Sequence, residues 1–272
     1  MFVNVILAVA ILFATGVIAA IILAFASHYF GVPVDETVHK VRACLPGANC
    51  GACGYTGCDG YAEALAKGDA KSNLCVPGGA SVSASVSELL GVSAGDVAVL
   101  KAYVHCNGTP DATEKSAEYD GLLTCNAMCL SCGGPNSCKY GCLGCGDCAS
   151  VCPTHAICVV DGVARVNKAK CIGCGLCVKT CPKHIISLIP EDARVAVKCS
   201  SKDNGAATRK KCKNGCIGCR KCEKTCPYGA ITVQDNLAKI DYEKCTGCGM
   251  CSEVCPVKCI ARTGDFNEEF RK

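Results

Sequence analysis

The stretch 142-CLGCGDCASVCP-153 reads C-x-x-C-x-x-C-x-x-x-C-P, and the same spacing returns at 171-CIGCGLCVKTCP-182, 216-CIGCRKCEKTCP-227 and 245-CTGCGMCSEVCP-256. Two-residue gaps let one tight loop aim three thiolates at a single cube of iron and sulfide. The fourth cysteine follows a wider gap and reaches a neighbouring cube, so such motifs work in pairs. Thiolates are the soft ligands that iron–sulfur clusters select. The spacing predicts crossed quartets: Cys142, Cys145 and Cys148 with Cys181, and Cys171, Cys174 and Cys177 with Cys152. Likewise Cys216, Cys219 and Cys222 are expected to share a [4Fe–4S] cube with Cys255, and Cys245, Cys248 and Cys251 one with Cys226.

Working outward, the chain holds 30 cysteines in 272 residues. Disulfides would need an oxidising compartment, whereas low-potential clusters need reduced thiols. Zinc sites favour separated C-x-x-C pairs, often with His, and none of the 5 histidines falls inside a four-cysteine repeat. There is no Trp and the aromatic content is 5%. A large apolar core is therefore not expected, and ligation must supply much of the folding free energy. The formal charge of +4 counts every cysteine as neutral. Five cubes at about −2 each would bring it to roughly −6, so the apparent basicity does not indicate a nucleic-acid partner.

Residues 1–34 contain no Asp, Glu, Lys or Arg, and Val3 to Ala26 is apolar apart from Asn4 and Thr15. As a helix this stretch would span about 36 Å, enough to cross a bilayer with some tilt. It lacks the basic n-region of a signal peptide. Lys40 and Arg42 follow it, which predicts a single-pass anchor in a bacterial or archaeal inner membrane with the bulk of the chain cytoplasmic. Its single ionisable residue is His28, at the edge, so the span by itself is not an ion pathway.

Residues 35–79 read as a small iron–sulfur domain. Cys50, Cys53, Cys58 and Cys75 are expected to bind one [4Fe–4S] cluster, with Gly47, Gly51, Gly54 and Gly57 interleaved to let the backbone approach the sulfurs. Asp59 to Lys67 reads as a short helix stopped by Gly68, and Ser87 to Leu90 as another. Residues 80–137 read as a connector. From 138 to 190 and from 191 to 262 the pattern is that of two tandem two-cluster modules, with a tail at 263–272. Each module encloses a β-hairpin: Ile157–Val160 and Val163–Val166 around Asp161-Gly162, then Ile231–Gln234 and Leu237–Ile240 around Asp235-Asn236. The fold class is therefore α+β, preceded by one transmembrane helix.

The charge-free N-terminus, the segment from Asn49 to Tyr61 (NCGACGYTGCDGY) with Cys75, the Tyr140–Gly144 run and the tandem ferredoxin modules together resemble the B subunit of the Rnf electron-transport complex. That resemblance covers essentially the whole chain, and because members of the family often have another residue where Cys145 stands, it leaves Cys138 as the alternative to Cys145 in the first cube. It implies an electron-transfer subunit of an ion-translocating ferredoxin:NAD oxidoreductase, taking electrons from reduced soluble ferredoxin and passing them to partner subunits in a membrane. Flavin, nicotinamide and ion chemistry would lie on those other subunits; this chain has no G-x-G-x-x-G and no G-x-x-x-x-G-K-[ST]. No catalytic residue is expected in it.

Two other readings compete. Ferredoxin-type subunits of hydrogenases or formate dehydrogenases share the tandem motifs but not the Asn49–Tyr61 segment. Cys125-x3-Cys129-x2-Cys132 has the triad spacing of radical-SAM enzymes, but ferredoxin motifs begin within about ten residues and leave no room for the βα domain such enzymes need. His105, His155 and His184 read as loop or packing histidines, and Arg209-Lys210-Lys211-x-Lys213 as a solvated face, with offsetting of cluster charge or steering of an acidic ferredoxin as the alternative. Finally, Val104-His105-Cys106 and Cys138-x3-Cys142 upstream of the first module match Val197-Lys198-Cys199 and Cys212-x3-Cys216 upstream of the second. This symmetry suggests a sixth cluster on Cys106, Cys138, Cys199 and Cys212, although Cys125, Cys129 or Cys132 could replace any of the four.

Overall fold

The computed structural model describes residues 2–30, 36–95, 97 and 99–262; the expected tail at 263–272 lies outside them. Helix α1 runs over Phe2–Phe30, 29 residues, with side chains described at Ile6 and over residues 13–26. Among the described residues no helix is long and apolar enough to cross a membrane. The described side chains of α1 are nonetheless turned outward: Phe13 is 74% exposed, Leu23 70% and Phe25 64%.

Helices α2 (Glu36–Cys44), α3 (Cys58–Ala66) and α4 (Gly79–Leu90) form the N-terminal unit. Val41, Tyr61, Ala62, Leu65 and Val86 make its small core. Tyr61 anchors it, donating through its hydroxyl to the Lys71 carbonyl at 2.6 Å and accepting from the Leu74 N–H at 3.3 Å. Helix α3 starts at Cys58 and ends before Gly68, whose φ of +78° suits glycine. Helix α4 is three turns long, not the single turn that Ser87 to Leu90 suggested.

The two modules share one plan. In the first come β1 (Leu100–Val104), α5 (Cys125–Cys132), α6 (Asp147–Ser150), β2 (Ile157–Val160), β3 (Val163–Val166), α7 (Leu176–Thr180) and β4 (Ile186–Pro190). In the second come β5 (Val195–Val197), α8 (Gly205–Lys211), α9 (Lys221–Thr225), β6 (Ile231–Gln234), β7 (Leu237–Ile240), α10 (Met250–Glu253) and β8 (Ile260–Arg262). The inner pairs β2–β3 and β6–β7 are the hairpins predicted from sequence, in register Ile157↔Val166 and Ile231↔Ile240. Both turn residues of each have positive φ: Asp161 49° and Gly162 69°, Asp235 50° and Asn236 60°. This is the type I′ geometry that matches strand twist.

The outer pairs were not legible in the sequence. Strand β1 pairs antiparallel with β4, Leu100↔Pro190 through Val104↔Ile186, and β5 pairs with β8. The stretch at 80–137 is thus not a mere connector, since β1 is the edge that closes the first module. Around these ribbons lie Val104, Ile157, Val163, Ile186 and the ligand cysteines in one core, and Val195, Val197, Ile231, Ile260 and theirs in the other. The motif loops press on the hairpin turns. A Cβ on Gly144 would fall 2.6 Å from the Gly162 carbonyl oxygen, and one on Gly218 3.1 Å from Asn236 Cα. Glycine at these loop positions sets how closely ligand loop and hairpin approach.

Candidate metal centres

In the N-terminal unit Cys50, Cys53 and Cys58 all lie close enough to Cys75 to raise its thiol pKa by repulsion, after burial, the larger cause. The Asn49 side-chain oxygen accepts from the Cys58 N–H at 2.9 Å, fixing the loop on the start of α3. Gly51 (φ +65°) and Gly54 (φ +89°) turn the chain tightly between ligand positions. Cys44 stands apart, its thiol donating to the Lys40 carbonyl of its own helix at 3.4 Å.

In the modules the cysteines ring chambers. Cys152, from the first motif, lines one with Cys171, Cys174 and Cys177 of the second. Cys226, from the third motif, lines one with Cys245, Cys248 and Cys251 of the fourth. Cys222 has Cys216, Cys219 and Cys255 as electrostatic neighbours. These three sets are the crossed groupings expected from spacing. The remaining chamber is lined by Cys142, Cys148 and Cys181 together with Cys125 from the start of α5. The Asp147 carboxylate accepts from the Cys125 and Asn126 N–H groups at 2.9 and 3.1 Å, holding that helix end on the motif. Cys145 lies beside this chamber: its Sγ is 4.0 Å from Met128 Sδ and 3.7 Å from the Leu143 carbonyl, and it hydrogen-bonds Cys125. Spacing pointed to Cys145; Cys125, 17 residues before Cys142, carried only the signal of its own C-x3-C-x2-C triplet.

The chambers fit iron–sulfur cubes on three counts. Backbone amides point at the sulfurs: Ala102 and Gly173 N–H at Cys171, each 3.4 Å, Ala164 N–H at Cys142, 3.5 Å, and Ala156 N–H at Cys152, 3.3 Å. Such donors stabilise thiolate and cluster charge. Burial pushes the thiols of Cys148 and Cys177 up to about 12 and those of Cys222 and Cys251 up to about 11. Their anions therefore need a metal in place of the proton. Lastly, each of the three chambers is lined by four cysteines, the number of thiolates that one cube takes.

Cys259 carried no assigned role in the sequence. It is 1% exposed, and its Sγ lies 3.6 Å from that of Cys255. Hydrogen bonds from Cys259 pull the thiols of Cys216 and Cys255 down to about 6 and about 5, while its own is pushed up. Cys125, Cys129 and Cys132 share helix α5, with Cys132 exposed and Cys125 committed to a chamber. That placement does not assemble a separate triad site. His105 bridges modules, its Nδ1 2.7 Å from the Val197 carbonyl and its Nε2 2.6 Å from Ser187 Oγ. His155 and His184 occupy matched turns at φ 49° and 52° after each Cys-Pro. Arg209 and Lys210 are exposed on α8, and Lys211 pairs with Asp203 at 2.7 Å.

Family comparisons agree with this partition. Residues 45–77 match a family described as "Putative Fe-S cluster", and residues 141–185, 170–231 and 210–262 match families described as 4Fe-4S dicluster domains. The chain is 45% identical over 254 residues to the B subunit of the Na(+)-translocating ferredoxin:NAD(+) oxidoreductase complex of Acetobacterium woodii, covering 93% of this chain and 76% of that protein. It is 43% identical over 240 residues to the B subunit of the proton-translocating ferredoxin:NAD(+) oxidoreductase complex of Clostridium ljungdahlii, covering 88% and 84%. The B subunit of the ion-translocating oxidoreductase complex of Methanosarcina acetivorans is 38% identical over 237 residues, covering 87% and 90%. With four-cysteine chambers in each ferredoxin module and relatives matched over most of both chains, this chain belongs to the B-subunit family of ion-translocating ferredoxin:NAD(+) oxidoreductase complexes, the iron–sulfur electron-transfer component of the Rnf complex.

Proposed function

We propose that the chain receives electrons from reduced soluble ferredoxin and hands them to partner subunits of a membrane ferredoxin:NAD(+) oxidoreductase, held at the membrane by α1. The observation that carries this reading is the crossing of motifs into shared chambers, above all Cys226 with Cys245, Cys248 and Cys251. The proposed ligands are Cys50, Cys53, Cys58 and Cys75; Cys152, Cys171, Cys174 and Cys177; Cys216, Cys219, Cys222 and Cys255; and the Cys226 quartet. For the first cube they are Cys142, Cys148, Cys181 and the chamber-lining Cys125, with Cys145 beside them.

When bound, each [4Fe–4S] cube accepts and releases one electron at a time. The residues of the chain do the rest. Thiolates fix the positions of the metals, the strand and loop amides offset negative charge, and Ile157 and Ile231 line their chambers with apolar side chains. Adjacent sites touch through the protein: Cys174 is an electrostatic neighbour of Cys50, and the Lys179 ammonium donates to the Cys50 carbonyl at 3.3 Å. The N-terminal unit thus sits against the first module, on the side nearer to α1 in the chain. The outward apolar side chains of α1 support a membrane anchor.

Sealed right-side-out cells treated with protease test the orientation: the ferredoxin modules should survive. Isolated membranes test the donor: reduced ferredoxin should bleach the broad visible absorption of this subunit without NAD(H) present. Cleavage of the modules from outside, or bleaching only through NADH, would overturn the proposal.

A further inference from the structure

The two modules meet at a chamber whose cysteines lie outside the four C-x-x-C-x-x-C-x-x-x-C-P motifs. Cys106, Cys138, Cys199 and Cys212 all line it. Like each of the three motif chambers, it is lined by four cysteines. Cys138 is the electrostatic neighbour of each of the other three. A Cβ on Gly108 would lie 3.5 Å from Cys106 Sγ and 4.0 Å from Cys212 Sγ, which brings those two sulfurs to the same wall.

The four thiols arrive by a two-fold plan. Strand β1 ends at Val104 and β5 at Val197, and each delivers a cysteine two residues later. Cys106 Sγ accepts from the N–H of Gly108 at 3.4 Å and of Cys142 at 3.3 Å. Cys199 Sγ accepts from the N–H of Ser201 at 3.4 Å and of Cys216 at 3.2 Å. The donors correspond position for position: the residue two ahead, and the first ligand of each module's first motif. Cys138 and Cys212 open equivalent turns, closed by Gly141 N–H to the Cys138 carbonyl at 3.1 Å and Gly215 N–H to the Cys212 carbonyl at 3.3 Å. Cysteines that merely fill a core would not need paired amide donors on their sulfurs. Contacts across the junction hold the walls: Asn214 to the Asn107 carbonyl at 2.9 Å, Ser200 to the His105 carbonyl at 2.9 Å, and Thr113 to the Lys211 carbonyl at 2.7 Å.

We propose that Cys106, Cys138, Cys199 and Cys212 ligate a sixth [4Fe–4S] cube shared equally by the two modules. Each thiol loses its proton to solvent on ligation and each sulfur binds one iron. The site has a place in the order of clusters. Cys142 and Cys216, whose amides hold Cys106 and Cys199, are themselves ligands of the neighbouring cubes, so the junction cube stands in series between the modules and fastens them together. This rests on the iron–sulfur reading of the motif chambers, and the test separates the two.

The full-length protein, purified anaerobically and reconstituted with iron and sulfide, should hold about 24 iron and 24 acid-labile sulfide per chain, at four of each per cube. Cys199→Ala and Cys138→Ala should each hold about 20, with the low-temperature EPR of the other cubes retained and the linker between modules newly open to limited proteolysis. Cys158→Ala, outside every chamber, should still hold about 24. A wild-type count that saturates near 20, unchanged by Cys199→Ala, overturns the sixth site and leaves the motif cubes standing. Little or no iron in the wild type would overturn both. Should either variant not fold, the wild-type count alone decides.

Discussion

Replacing Cys125 and Cys145 in turn by alanine separates ligation set by chain spacing from ligation set by the fold. Cys125 lines the same chamber as Cys142, Cys148 and Cys181, and Cys142 and Cys148 both have it as an electrostatic neighbour. Cys145 is an electrostatic neighbour of Cys125 and Cys142, and its sulfur faces Met128. Removing one of four thiolates opens a cube to loss. Cys125→Ala should therefore cost about four iron per chain, one sixth of about 24, while Cys145→Ala should cost none. Asp147→Asn gives a graded control. It weakens two charge-assisted bonds to the Cys125 and Asn126 amides, each worth about 1.5–3 kcal/mol, so the first cube should survive at rest and be the first lost to a chelator. The assay is iron and sulfide content with EPR spin counting on anaerobically purified protein. Four iron lost on Cys145→Ala, with none lost on Cys125→Ala, would refute the reasoning.

Gly144→Ala places a side chain at φ +74° and 2.6 Å from the Gly162 carbonyl oxygen; left-handed backbone alone costs about 1–2 kcal/mol, and the thermal midpoint of the first module should fall by several degrees. Cys259→Ile, which copies Ile185 four residues after the preceding Cys-Pro cysteine, should keep all iron but lower the midpoint potential of the Cys216 cube by removing hydrogen bonds to its sulfurs; redox titration by EPR reads this. Burial pushes the Cys106, Cys148 and Cys177 thiols up to about 12. Below that pH they hold protons that iron must displace, so chelator resistance should rise from pH 6 to pH 8. The cluster-free fold behaves in the opposite sense, losing stability as pH rises from the ordinary thiol value of 9.0 toward about 12, because the unfolded chain binds fewer protons there.

What the sequence disclosed, and what it did not, divides by contact range. The hairpins at Asp161-Gly162 and Asp235-Asn236 were legible because turn chemistry and strand alternation sit within ten residues. Three of the crossed cysteine groupings were legible because the fourth-cysteine rule encodes the long-range partner locally. Strand β1 was not: its partner β4 lies 86 residues on at Leu100↔Val104 against Pro190↔Ile186, and no local pattern announces such a pairing. Cys125 was masked by the same cause: the Asp147 contact that holds the start of α5 on the motif joins residues 22 apart. Cys145, by contrast, completes a perfect local spacing and lies beside the chamber, bonded to Cys125. Helix α4 outran its expected length because Ser83 and Ser87, polar in sequence, are buried and bonded to the Gly95 carbonyl and to Ser72.

The central claim is that this chain is a multi-cluster electron carrier, and the most direct measurement is the number of electrons it takes from reduced ferredoxin. Anaerobic titration of the full-length protein, followed by visible bleaching and EPR spin counting, should reach about six electrons per chain, one per cube, each recovered on reoxidation. A protein that carries zinc in its cysteine sites, or that takes up no electrons from reduced ferredoxin, would contradict the account.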